Sequence, residues 1–195
     1  SFEELLAVNG DVCAWLTLDG TRIDYPILQG EDNLSYINTD VYGSFALAGS
    51  IFLDSRCDNT FHDTYALVYG HHMDNGRMFG DLDKYKDGKF FCENSAGALI
   101  LPDRSYKLEI FACMLVPAAE GMIFDTHMRQ TDIGGLLDFA EAEAVHLRPD
   151  TVEAARGAES PQIIALSTCS SEYTDARTIV LAYMTPYTTE TQVGG

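Results

Sequence analysis

With 195 residues, 46% of them hydrophobic and 22% charged, the chain is long enough to bury a substantial core and too apolar to be disordered over most of its length. Twelve Lys and Arg against thirty Asp and Glu leave a net charge of −18, which repels phosphate backbones and anionic lipid and disfavours nucleic-acid binding. No window approaches the roughly 18–20 unbroken apolar residues of a membrane-spanning helix, and no signal peptide is visible ahead of the first helical pattern.

That first pattern, Phe2–Val8, is a short amphipathic helix closed by Asn9-Gly10. Residues 12–18, 23–28 and 50–53 read as short strands separated by turn residues such as Asp19-Gly20. Residues 64–69 (TYALVY) are β-branched and aromatic and stop at Gly70, the pattern of a buried strand. Met78, Leu82 and Tyr85 share helical spacing, which predicts a short surface helix over 78–85. Strands at 98–101 and 106–117 flank Pro102-Asp103-Arg104-Ser105, the chemistry of a hairpin turn. The clearest helix is 133–145, with Leu136, Leu137, Ala140 and Ala144 on one face and Asp138, Glu141 and Glu143 on the other. Strands at 162–167 and 178–184 close the chain. Short strands dominate, so the fold is expected to be mainly β, a barrel or sandwich decorated with helices rather than a repeating βαβ fold. No repeat or linker divides the sequence, and residues 1–195 read as one domain.

The five cysteines (Cys13, Cys57, Cys92, Cys113, Cys169) form no CxxC pair, which argues against a zinc ribbon or a thioredoxin-like site, and their odd number leaves at least one thiol unpaired in a monomer. Cys169 follows the apolar run Ile163-Ile164-Ala165-Leu166 among the small hydroxylic residues Ser167, Thr168, Ser170 and Ser171. A strand end can present a thiol at a cleft mouth; the plainer alternative is a buried small hydrophobe. His71 and His72 follow Gly70 at the end of a different predicted strand. An imidazole there can activate a thiol and protonate a departing amine, while a surface histidine pair is the alternative, and for His72 the better one. A zinc site from Cys57, His62, His71 and His72 matches no ligand spacing. Arg177 opens the last strand; its guanidinium suits a tetrahedral oxyanion, or it pairs with Glu172 or Asp175.

Several stretches, in order, resemble class B sortases: Trp15-Leu16, Ile23-Asp24-Tyr25-Pro26-Ile27, Gln29-Gly30-Glu31-Asp32-Asn33 and Ala48-Gly49-Ser50-Ile51-Phe52-Leu53-Asp54. Tyr69-Gly70-His71-His72-Met73, Met78-Phe79-Gly80-Asp81-Leu82 and Leu166-Ser167-Thr168-Cys169, with Arg177 on the next strand, continue the series. The resemblance implies an eight-stranded β-barrel with an N-terminal helix and a helix between the sixth and seventh strands; the helix read at 133–145 falls in that place. It implies a cysteine transpeptidase that cleaves an NPxTx-like C-terminal sorting signal after Thr. Cys169 would form the thioester acyl-enzyme, His71 would act as acid and base, and Arg177 would stabilise the oxyanion or orient the signal. Leu34, Tyr69, Ser167 and Thr168 are the implied substrate-binding residues, and Ser170, after the cysteine, contributes no charge. No metal or cofactor is expected. The implied partners are the sorting signals of surface proteins and an acceptor amine, from cell-wall peptidoglycan precursor or a pilin lysine. The implied location is the extracellular face of the membrane, with an anchor outside residues 1–195. A pilin polymerase on the same motifs, a hydrolytic cysteine protease and a non-catalytic surface-binding domain are the alternatives. The papain-type cysteine context is absent, and the presence of Cys169, His71 and Arg177 together counts against a binding relic.

Overall fold

The computed structural model describes residues 1–169 and 175–187. Nine strands form along the chain: β1 Val12–Leu18, β2 Asp24–Leu28, β3 Ile51–Leu53, β4 Tyr65–Gly70, β5 Ala96–Ile100, β6 Ser105–Pro117, β7 His146–Leu147, β8 Gln162–Thr168 and β9 Ala176–Pro186. They are ordered β5-β1-β2-β3-β4-β8-β9-β6, and the β5–β6 pairing closes this run into an eight-stranded barrel, with β7 attached to β6 outside the ring. Closure removes the unpaired edges that an open sheet would expose. The expected barrel is therefore present.

Periodicity explains the strands individually. β1 alternates buried and half-buried residues, placing Val12, Ala14, Leu16 and Leu18 in the core. β4 and β8 instead read as unbroken apolar runs because they are buried along nearly their whole length. They pair in parallel from Tyr65↔Ile163 to Gly70↔Thr168.

Helix α1 (Phe2–Val8) starts in a capping box, Ser1 and Glu4 each bonding the other's backbone. Helix α2 (Gly88–Glu93) follows the fourth barrel strand. The long connection from the sixth barrel strand (β6) to the seventh (β8) carries α3 (Gly121–Phe124), α4 (Thr126–Arg129), α5 (Ile133–Glu143) and α6 (Pro149–Gly157). The expected helix is α5, which buries Ile133, Leu136, Leu137 and Ala140. The other three are not among the expected helices: α3 and α4, at four residues each, are too short to show a face, whereas α6 does have one, burying Thr151, Val152 and Ala155. The helix expected over 78–85 is a 3-10 helix, Gly80–Lys86. Met78 lies outside it with φ of +54°, and Leu82 and Tyr85, three apart, eclipse on one buried face as a 3-10 repeat requires.

Gly70 ends β4 where Ile51 and Phe79 crowd the backbone. A Cβ there would lie 2.4 Å from Ile51 Cδ1 and 2.7 Å from Phe79 Cγ. Phe79 is locked in turn, its N–H donating to the His71 carbonyl at 2.8 Å. Gly70→Ala is expected to destabilise the fold by about 1–3 kcal/mol, the usual cost of overpacking, read by urea unfolding; unchanged stability would show that Phe79 relaxes freely and does not fix the His71 backbone.

Candidate active site

The barrel brings three strand ends into one row. Beyond the last pair of the parallel ladder, Gly70↔Thr168, the Cys169 N–H still donates to the Gly70 carbonyl at 2.8 Å, so the register continues and sets His71 beside Cys169. On the other side of β8, the antiparallel ladder reaches Ser167↔Ile179. Two residues further along that register, Arg177 stands opposite Cys169. Residues far apart in sequence thus meet through hydrogen-bond register alone.

Cys169 opens into a cavity of about 350 Å³. Leu34, Ile37, Phe52, Tyr69 and Phe124 form its apolar wall, and Thr168, Cys169 and Arg177 its reactive end. Leu34, Tyr69 and Thr168 are all suggested by the sequence. Ser167 is too, but it is fully buried and its hydroxyl donates to the Thr168 carbonyl at 3.0 Å, so it does not face the cavity. Asn33, Ile37, Phe52, Ala118 and Phe124 also line the cavity. Asn33 and Phe52 sit inside motif stretches without a role, while Phe124, at the end of a four-residue helix, leaves no signal.

The His71 ring is half-buried and its Nε2 bonds the Ile37 carbonyl. A carbonyl only accepts, so Nε2 carries the proton and, in the neutral ring, Nδ1 is left as the proton acceptor. The Ile37 carbonyl is fixed from behind by Gly49, at φ of +59°, where a Cβ would fall 2.1 Å from that oxygen. Tyr36 secures the same loop, its hydroxyl donating to Asp11 at 2.6 Å and accepting from Asn9 at 3.0 Å. His72 points elsewhere. Its Nε2 lies 2.5 Å from Asp83 Oδ2, on a second cavity of about 180 Å³ that also reaches Thr168 and Cys169.

A buried carboxylate organises the apolar wall. Asp54 is fully buried and accepts from Tyr69 Oη at 2.9 Å, Asn33 Nδ2 at 3.0 Å, and Arg56 Nε and Nη2 at 2.9 and 2.8 Å. Arg56 also donates to the Phe124 carbonyl at 2.8 Å, and Phe124 stacks on Tyr69 with ring planes 4° apart. Burial pushes the Asp54 pKa up, but the hydrogen bonds from Arg56 and Tyr69 outweigh it and hold the carboxyl below its ordinary value. Three separate segments of the wall are therefore tied to one ionised group.

Burial pushes the Cys169 thiol up to about 12, and the positive charge of Arg177 opposes that rise. Cys13, Cys57 and Cys113 are raised to about 12 as well, also by burial. Acidity does not distinguish Cys169; its place on two cavities and its cationic neighbour do. Ser170, Ser171 and Glu172 lie outside the described residues. Among the described residues, no group of three or more His, Cys, Asp or Glu could hold a metal ion, and no helix is long and apolar enough to cross a membrane.

The sortase-domain family model matches residues 16–185. Sortase B of Listeria monocytogenes is 35% identical over 169 residues, covering 87% of this chain and 67% of that protein. Sortase B of Staphylococcus aureus is 29% identical over 185 residues, covering 93% of this chain and 73% of that protein. The crystal structure of a Streptococcus pyogenes class B sortase involved in pilus biogenesis superposes with a TM-score of 0.83 at 37% identity, covering 95% of this chain and 98% of that one. With the barrel, the inserted helix and the ordered motifs all in agreement, the chain belongs to the sortase family, as a class B sortase and thus a cysteine transpeptidase of surface proteins.

Proposed function

We propose that the chain cleaves an NPxTx-like sorting signal after its threonine and joins the new carboxyl to an amine of cell-wall peptidoglycan precursor. The single observation that carries this reading is the register that sets Arg177 and His71 on either side of Cys169, with Cys169 and Arg177 lining the apolar cavity. The signal lies along Leu34, Ile37, Phe52, Tyr69 and Phe124, with the threonine carbonyl at Cys169. The thiol proton passes to His71 Nδ1 as sulfur attacks that carbonyl, and the oxyanion is met by Arg177. Collapse breaks the peptide C–N bond, and the His71 imidazolium returns its proton to the leaving amine, leaving a thioester on Cys169. An acceptor amine then attacks the thioester and releases the thiol. A Staphylococcus aureus sortase B is known in complex with its substrate, and a sortase B in complex with triglycine, which supports a peptide donor and an amine acceptor in this family.

A second acceptor, a pilin lysine, is favoured by the 37% identity to the class B sortase involved in pilus biogenesis. Comparing oligoglycine, a diamino-acid peptide and a pilin-type lysine as acceptors separates the two. On either reading the parent protein works at the outer face of the membrane, held there by an anchor.

With a fluorogenic NPxTx peptide and an amine acceptor, Cys169→Ala and His71→Ala are expected to abolish transfer, and Arg177→Ala to lower kcat by about 10²–10³-fold, as for loss of an oxyanion donor. Mass spectrometry should trap the peptide on Cys169. Full activity in the Cys169 or His71 variant overturns the assigned roles. Because the resting thiol is neutral, alkylation of Cys169 followed by peptide mapping should rise about tenfold per pH unit from pH 7 to 10; a plateau below pH 8 would mean a preformed thiolate. Asp54→Asn should loosen the apolar wall, raising the peptide KM several-fold and lowering stability by about 1–3 kcal/mol as Arg56 loses its charge partner. Wild-type KM in that variant would mean the wall is held by packing alone.

A further inference from the structure

We propose that the second cavity is the acceptor subsite, in which the Asp83 carboxylate binds the acceptor as an alkylammonium and His72 takes its proton. This rests on the transfer reaction proposed above and names where its second substrate enters. The cavity shares Thr168 and Cys169 with the apolar one, so a group seated in it lies next to the nucleophile's residue. Its lining is different in kind: His72, Asp83, Lys86 and Thr178, with Leu115 at the edge. At about 180 Å³ it is below the roughly 300–1,000 Å³ of pockets that enclose drug-sized ligands, which suits a terminal aminoalkyl group better than a second peptide.

The seat for an ammonium is already displayed by the chain itself. Lys86 Nζ sits 2.7 Å from Asp83 Oδ1, and Thr178 Oγ1 approaches the same oxygen at 3.3 Å. The other carboxylate oxygen holds His72 Nε2 at 2.5 Å. Since the carboxylate only accepts, His72 donates through Nε2, and Nδ1 of its neutral ring is open to a proton. Lys86 is about a third exposed on a flexible stem, so an incoming alkylammonium can displace it at little cost. The chain's net charge of −18 favours the approach of cations over anions.

The step balances without a further reactant. The bound R–NH₃⁺ gives one proton to His72 Nδ1. The freed lone pair attacks the thioester carbonyl, forming the C–N bond. Collapse breaks the C–S bond, and the sulfur leaves with the second amine proton, relayed through His71. The products are an amide, the Cys169 thiol and a protonated His72 that discharges to solvent.

The test measures acyl-enzyme formation with the NPxTx peptide and then KM for an alkylamine acceptor, using cadaverine as the probe. Asp83→Asn should raise the cadaverine KM roughly tenfold, the loss expected for one charge-assisted contact, with a much smaller change in peptide KM. Lys86→Met should move the other way, lowering the cadaverine KM several-fold because the internal competitor is gone; a merely structural role for Asp83 would not produce that improvement. His72→Gln should lower kcat for transfer and flatten its dependence on pH relative to wild type. If Cys169 becomes acylated and both the Asp83 and Lys86 variants keep the wild-type cadaverine KM, the subsite is wrong and the transfer reading stands. If wild-type Cys169 is never acylated, the transfer reading itself fails.

Discussion

The parallel ladder between β4 and β8 is the constraint on which the rest of the site depends. It joins strands almost a hundred residues apart, and its register decides which side chains arrive together at the open end. A slip of one residue would turn every side chain of β8 to the opposite face. The ladder resists such a slip because its side chains are packed along nearly the whole of both strands and would have to repack together. The antiparallel β8–β9 ladder extends the same logic and delivers Arg177. Chemistry is thus placed by backbone hydrogen bonds that the core keeps dry.

Around this rigid row the protein uses a different device to shape its apolar cavity. The wall is assembled from the segment after β2, from β3 and β4, which pair at Phe52↔Tyr69, and from α3, so that no single ladder holds all of it. Asp54 bonds side chains from two of these segments directly and reaches the third through Arg56. A buried carboxylate is costly unless it is fully hydrogen-bonded. Here each oxygen is engaged, and Gln29 further holds the Asp54 carbonyl at 3.0 Å. The arrangement trades a desolvation penalty for fixed geometry: Tyr69 and Phe124 stay parallel and the cavity does not collapse onto them.

Much of this was legible in the sequence, for identifiable reasons. Eight barrel strands carry enough β-branched or alternating residues to be found, within about three residues at their ends. Helix α5 was found because eleven residues are enough to show a face; α3 and α4, of four residues each, are not. Motif order singles out Cys169, His71 and Arg177; Tyr69 is suggested by motif position, Leu34 by following Gln29–Asn33 and Thr168 by adjoining Cys169, and these three line the cavity. Ser167 misled because hydroxyl residues beside a nucleophile look available, whereas β8 is too deeply buried there to expose one. Phe124, Arg56 and the pairing of His72 with Asp83 depend on contacts between distant segments. A single sequence carries no pattern for them.

The neutral resting thiol gives these features a common purpose. With its pKa pushed up to about 12 by burial, Cys169 exists almost wholly as the thiol at neutral pH, and a thiol resists the oxidation to which an exposed thiolate is prone. Reactivity must then arrive with the substrate: a peptide filling the apolar cavity completes the desolvation of the site and strengthens every charge interaction within it, including that of Arg177 with the developing oxyanion. The same filling keeps water from that face of the thioester. A transpeptidase needs this asymmetry, because its acyl-enzyme survives to meet an amine only if water is held off in the meantime. An apolar cavity and a polar one carrying Asp83 and His72, both lined by Cys169, are a physical division of labour suited to the proposed transfer over hydrolysis.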